Sequence, residues 1–361
     1  MKRFVIYCCG LALAAGLLTF PSGTPLLADG GANHRVRNLH FGVSGGNVED
    51  ISRRFCCSGT LGSLVQANGT QYILSNNHVL GLAGQASVGD DISQPGLIDN
   101  NCAVATVVAD FTVAPALSSG VDCAIAQLRP GLMDGTGSIE DIGTISSVVK
   151  SPAINLAVAK SGRTTGITTG SISSISTTVS VRYPKSCGGG GGTLFTFTNQ
   201  VVINSSTFSA GGDSGSLIVS NNSPNCHQPV ALLFAGSSTS TIGNPISLVL
   251  TRLSSSLGQP VSFVGGTCTA AAPTVLESDD PQLSAPMNEA VHKAETAMRT
   301  REIDLMMRPG VIGVGIGASD SVDEASIIVY VDATSNAKPK LPKTIRGVKV
   351  KRVLSEPFVA F

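Results

Sequence analysis

The stretch Ser209-Ala210-Gly211-Gly212-Asp213-Ser214-Gly215-Ser216 holds one hydroxyl in a tight glycine turn. Small neighbours leave the Ser214 oxygen reachable, and the glycines let main-chain N–H groups point at the space before it. Such a turn suits attack on a carbonyl and retention of the oxyanion that forms. A nucleophile of this kind requires a base, and the base requires a carboxylate to orient it.

The candidate bases are His34, His40, His78, His227 and His292. His34 and His40 lie in a polar, glycine-rich stretch. His227 follows Cys226 in a loop rich in Asn, Ser and Pro, and His292 falls on a helical pattern. Only His78 closes a strand-like run, Tyr72-Ile-Leu-Ser-Asn-Asn-His78. Of the carboxylates between His78 and Ser214, most occupy turn-like stretches (Asp90, Asp91, Asp99, Asp110, Asp134, Glu140, Asp141). Asp122 instead heads the apolar run Cys123–Leu128, where a partly buried carboxylate needs a donor. An imidazole N–H supplies one.

Around these residues the chain reads as short Val-, Ile- and Thr-rich runs separated by Gly, Asn, Ser and Pro. Examples are Gly59–Val65, Gln71–Leu74, Ala103–Phe111, Ser171–Val181, Leu194–Ile203 and Val230–Ala235. No long helical period interrupts them from residue 57 to 265. This spacing predicts an all-β barrel or sandwich. Residues 266–286 read as a linker. Beyond it Met287, Val291, Ala294 and Met298 recur at helical spacing, and strands are expected at Val311–Gly317, Ile327–Asp332 and Val348–Val353. Residues 287–361 therefore read as a small α+β domain, of a size able to fold by itself. It is a candidate for contact with the barrel domain within the chain, and its role is not legible. The run Gly313-Val-Gly315-Ile-Gly317-Ala318 mimics a dinucleotide fingerprint, but a turn and a strand follow it where a helix is needed.

The chain has 361 residues, 42% hydrophobic and 13% charged, with no formal net charge. No basic cluster precedes residue 338, so there is no nucleic-acid footprint. Lys2 and Arg3, the apolar run Phe4–Phe20 and a small-residue site at Leu26-Leu27-Ala28 read as a secretory signal over 1–28. The run is short for a membrane span. Residues 29–54 are expected to form a loose mature N-terminus. An exported chain can keep disulfides. Seven cysteines follow the leader (Cys56, Cys57, Cys102, Cys123, Cys187, Cys226, Cys268), so at least one is free or pairs with another molecule. Their spacing fits no zinc site, and no cofactor is called for.

The motifs Cys57-Ser-Gly-Thr-Leu, Ser75-Asn-Asn-His78-Val, Asp122-Cys-Ala-Ile-Ala, Lys160-Ser-Gly-Arg163-Thr-Thr-Gly166 and Gly212-Asp-Ser214-Gly-Ser occur in that order. Over about residues 55–265 the chain thereby resembles the chymotrypsin-like serine endopeptidases, bacterial secreted branch, around alpha-lytic protease. The resemblance implies two six-stranded barrels with the site between them. It implies Ser214 as nucleophile, His78 as base and Asp122 as its orienter, with the N–H groups of Gly212 and Ser214 as oxyanion hole. It also implies an Arg163–Asp213 ion pair that fixes the oxyanion loop. Substrate would lie along Phe234-Ala235-Gly236, with Phe208, Ser237 and Thr239 near the pocket. No acidic or basic residue falls in the pocket windows, so no charged preference is expected. One departure is Val79, where relatives carry a cysteine, so Cys57 must find another partner or stay free. The expected activity is peptide-bond hydrolysis by an exported enzyme. A catalytically idle binding protein and an esterase-like hydrolase with the same triad are the alternatives.

Overall fold

Strand pairing begins further upstream than the composition suggests. The computed structural model describes residues 31–52, 55–189, 191–222, 226–267, 285–321 and 323–361. The expected leader and most of the expected linker lie outside the described residues. The stretch expected to be a loose N-terminus contributes β1 (Val43–Asn47), all of it buried. Its glycines hide the strand pattern but permit close approach: a Cβ on Gly45 would fall 2.4 Å from Leu61 Cγ.

The other strands of the first barrel are β2 (Gly59–Leu61), β3 (Ser63–Ala67), β4 (Thr70–Ser75), β5 (Asp91–Gln94), β6 (Thr106–Val113) and β7 (Ala124–Leu128). They pair antiparallel in the order β3-β4-β7-β6-β5-β1-β2. β2 leads directly into β3, so the ladder closes on itself. The interruption at Gly62 has a cause, since a Cβ there would lie 1.9 Å from the Gly215 carbonyl oxygen. The turn carrying Ser214 thus presses against this barrel wall. The apolar faces of these strands form one core with Phe41, Leu61, Leu64, Ile73, Leu74, Ile92 and Ile125.

The second barrel comprises β8 (Ala157–Gly162), β9 (Gly166–Ser171), β10 (Ser174–Tyr183), β11 (Thr193–Asn204), β12 (Leu217–Ser220), β13 (Pro229–Gly236) and β14 (Ser240–Pro245). β9 runs on into β10, and the order β9-β8-β12-β13-β14-β11-β10 closes the second ladder. A short helix α1 (Asn77–Leu80) follows β4, and α2 (Ile246–Leu257) follows β14. No helix is expected from the sequence before residue 266, so α2 is a correction. Its signal is present: Ile246, Val249 and Leu253 share one face and are buried, and Gly258 closes the helix at φ +74°.

The C-terminal residues form α3 (Ala285–Arg299), α4 (Glu302–Met306), β15 (Val311–Ala318), β16 (Ala325–Asp332), β17 (Val348–Ser355) and β18 (Phe358–Ala360). These helices and strands are the α+β elements expected of residues 287–361, and they are joined to the second barrel. β15 pairs with β10, extending the second barrel's sheet, and the helical residues Val291, Ala294 and Met298 share one core with Ile203, Phe208 and Leu233. The glycine run 313–317 is explained by this pairing. A Cβ on Gly315 would lie 2.3 Å from Thr177 Oγ1, at an irregular point of β10.

Disulfides join Cys56 to Cys102 and Cys57 to Cys187, and Cys226 is disulfide-bonded as well. Cys123 is free and fully buried. Burial and the neighbouring Asp122 hold its thiol well above the usual range, so it is an inert packing residue. Among the described residues no helix is long and apolar enough to cross a membrane.

Candidate active site

His78 sits on α1, three residues past the end of β4 at Ser75 and two past the Asn76 cap. Two asparagines fix this turn. Asn76 Nδ2 donates to the Asp122 carbonyl at 2.7 Å, and Asn77 Nδ2 donates to the Pro115 carbonyl at 2.9 Å. The imidazole then meets a fully buried carboxylate. His78 Nδ1 lies 2.5 Å from Asp122 Oδ2, and the His78 main-chain N–H donates to Asp122 Oδ1 at 3.2 Å. Asp122 is held from the second barrel too, its N–H donating to Asn244 Oδ1 at 2.9 Å.

Burial lowers the His78 pKa, but the charge and hydrogen bond of Asp122, the Phe361 oxygen and the charge of Asp50 outweigh it. The net direction is upward. Burial also pushes Asp50 up, against His78. Asp50 lies close to Cys57 and Cys187, but those sulfurs are joined to each other and offer no thiolate for a metal.

Sequence reasoning missed Tyr183. This residue ends β10, is buried, and donates its hydroxyl to Asp122 Oδ2 at 2.6 Å. Its ring stands edge-on to the His78 ring at 5.9 Å between centroids. Burial first, then Asp122, hold the phenol well above its ordinary pKa, so it remains a donor. A tyrosine at the end of a strand carries no motif, and only the folded register brings it to Asp122. Tyr183→Phe should remove one charge-assisted hydrogen bond, at about 1.5–3 kcal/mol of stability. Chemical denaturation of the variant checks this, and unchanged stability would show that the phenol is dispensable.

Ser214 is fully buried in the turn between the barrels. Its Oγ donates to the Phe234 carbonyl at 3.2 Å, and no hydrogen bond joins it to His78. His78 Nε2 instead meets the Phe361 main-chain oxygen at 3.0 Å. The preceding turn is closed by Asp213 N–H donating to the Ala210 carbonyl at 3.0 Å, with Gly212 at φ +97°. That backbone is open to glycine and strained for other residues. A Cβ on Gly212 would also fall 2.5 Å from Thr164 Oγ1. The main-chain N–H groups of Gly212 and Ser214 have no acceptor among the described residues, although both residues are buried. A main-chain N–H without a protein acceptor is available to water or to a ligand oxygen.

The expected Arg163–Asp213 pair is absent. Arg163 turns away and forms a fork with Asp99, Nε to Oδ2 at 2.6 Å and Nη2 to Oδ1 at 2.7 Å. Asp213 takes its donors from the 164–165 turn: Thr164 N–H at 2.8 Å, Thr165 N–H at 3.2 Å and Thr165 Oγ1 at 2.8 Å. The Ala210 N–H adds a fourth at 3.0 Å. Its cation is Lys160, fully buried, with Nζ 3.5 Å from Asp213 Oδ2. Burial lowers the Lys160 pKa against the opposing pull of Asp213. The physical reason is distance along the chain: Lys160 points inward from β8, while Arg163 lies past the strand's end beside Asp99.

Of the expected substrate residues, Phe208, Phe234 and Ala235 are fully buried, and Phe234 packs on Phe197. Gly236 lies against the Phe361 ring. Ser237 instead bonds Ser355 at 2.9 Å, and Thr239 is exposed on the β13–β14 turn, so neither hydroxyl is directed to a pocket. A cavity of about 410 Å³ adjoins His78, lined also by Asp50, Ser58, Gly211, Gly212 and Phe361.

The two antiparallel ladders form a double β-barrel, and the candidate site residues lie where the barrels meet. Solved structures similar to the chain are bacterial chymotrypsin-like serine proteases. A glutamic acid specific serine protease has 20% identity and a TM-score of 0.42, over 62% of this chain and 98% of that one. Thermobifida fusca Protease A has 18% identity and a TM-score of 0.42, over 63% and 99%. An alpha-lytic protease homologue has 18% identity and a TM-score of 0.35, over 54% and 89%. No protein-family model and no curated protein matches the chain. At these identities and TM-scores the likeness carries nothing about the reaction.

Proposed function

We propose that the chain is an exported serine endopeptidase that works through an acyl-enzyme. The observation that carries this reading is the Asp122–His78 hydrogen bond, together with a glycine turn at Ser214 whose Gly212 and Ser214 N–H groups have no acceptor among the described residues. Ser214 Oγ attacks the peptide carbonyl as His78 Nε2 takes its proton. Asp122, bonded to Nδ1–H, keeps the tautomer with Nε2 free and stabilises the cation. The oxyanion is received by the N–H groups of Gly212 and Ser214. His78 then returns the proton to the leaving amine as the C–N bond breaks. Water, activated the same way, releases the acyl group.

The absent Ser214–His78 bond favours one other reading, an idle protease-like binder. Fluorophosphonate labelling separates the two. Because Phe361 covers His78, both the full chain and a form ended after Pro357 should be treated. A Ser214 adduct in either supports the hydrolase, and its absence from both folded proteins sinks it. Peptide and ester substrates offered to an untreated sample of the form that reacts distinguish an endopeptidase from an esterase.

The pH dependence follows from the raised His78 pKa. The base must be neutral, so kcat/KM should rise with pH through an apparent pKa above the ordinary value of about 6.5. Stability runs the other way. The folded pKa exceeds the unfolded one, so this contribution is full below about 6.5 and is lost as pH rises through the folded value. A pH–rate profile with its midpoint below 6 would contradict the assignment.

A further inference from the structure

Phe358-Val359-Ala360-Phe361 lies in the cleft as an added strand. β18 pairs antiparallel with the end of β13, Ala360 opposite Ala235 and Val359 opposite Gly236. It also pairs in parallel with β10, Phe358 opposite Val181. An extended chain in this register delivers its next carbonyl to the base, and the Phe361 oxygen stands 3.0 Å from His78 Nε2. That oxygen is the partner of Nε2, while Ser214 Oγ bonds the Phe234 carbonyl. The Phe361 ring lies against Gly236, where a Cβ would fall 2.5 Å from its Cζ, and packs on the core that contains Phe208. Ala360 and Phe361 line the same cavity as His78, Ser58, Gly211 and Gly212.

The segment is anchored. Phe358 is buried, with its ring 5.9 Å from that of Tyr330 on β16. Ser355 Oγ bonds Ser237 Oγ at 2.9 Å beside the last turn of β13. The C-terminal unit, fixed to β10 by β15, therefore holds the segment in place.

We propose that Phe358–Phe361 is a built-in peptide ligand of the cleft, which occludes Ser214 and His78 and displays the substrate class: an extended apolar segment with an aromatic residue at the position whose carbonyl meets the base. This rests on the reading of the site as a serine endopeptidase. Two properties agree with it. The pairing uses main-chain groups, which any extended peptide offers. The side-chain contact is apolar and closes on a glycine, so it suits a flat ring.

The test compares the full chain, a form ended after Pro357 and the full-length Phe361→Asp variant. Phe361→Asp keeps Phe358 and its packing, so it serves if the shorter form does not fold. Fluorophosphonate should label Ser214 at least tenfold faster in the opened forms than in the full chain. A fluorescent peptide with the sequence of residues 356–361 should bind the opened form in the Ser214→Ala background, and not the full-length Ser214→Ala chain. Replacing its last Phe by Glu should weaken binding at least tenfold. Equal labelling rates in full and opened chains, or no peptide binding to a folded opened form, would overturn the proposal. Peptide binding without labelling of any folded form would instead remove the hydrolase reading and leave a peptide-binding cleft closed by its own segment.

Discussion

Asp122→Asn, introduced into the form ended after Pro357, is expected to fold and to lose about 10⁴-fold in kcat/KM. The amide has two orientations here. With its oxygen toward His78 Nδ1 and Tyr183, its NH₂ would face the His78 main-chain N–H, donor against donor. With its NH₂ toward Nδ1, that clash vanishes and the Tyr183 hydroxyl can turn to accept. The second orientation wins, and it forces the proton onto Nε2, where the base must be free. Steady-state kinetics on any peptide substrate reads the loss. A decrease under tenfold would show that Asp122 does not set the tautomer.

The second large effect is on stability. Lys160→Met should destabilise the chain by about 3–5 kcal/mol, the usual loss when one partner of a buried ion pair is removed. Lys160 and Asp213 are both without solvent exposure. Methionine fills much of the same space, so the cavity is small, and the loss combines the charge with the hydrogen bonds that Nζ donates to Thr165 Oγ1 and the Gly166 carbonyl. Asp213 would keep four neutral donors and lose its only close cation among the described residues. Urea denaturation gives the number. Stability equal to the parent would mean that those donors suffice.

The parts of the fold legible in the sequence are those that local chemistry dictates. Strands β4, β7, β11 and β13 announce themselves by short apolar or β-branched runs between turn residues. His78, Asp122 and Ser214 stand out because each sits where a strand or glycine turn leaves one functional group between small or apolar neighbours. What stayed hidden depends on pairing across long sequence distances. Tyr183 is 61 residues from Asp122, and Phe361 is 283 from His78. Lys160 and Arg163 are both plausible cations for Asp213 by type, and only the inward side of β8 decides between them. β1 was hidden for the opposite reason: its glycines, chosen for close approach to Leu61, erase the alternation by which a strand is recognised.

The pairing of β15 with β10 bears on the chain's behaviour in solution. Without it, the far half of β10 would present a row of unpaired N–H and C=O groups beside apolar Ile175 and Val179. Such an edge is a template for another copy of the same strand. The C-terminal unit thus works as an edge guard for the second barrel, and a fragment ending before residue 285 would be prone to stack with its own kind.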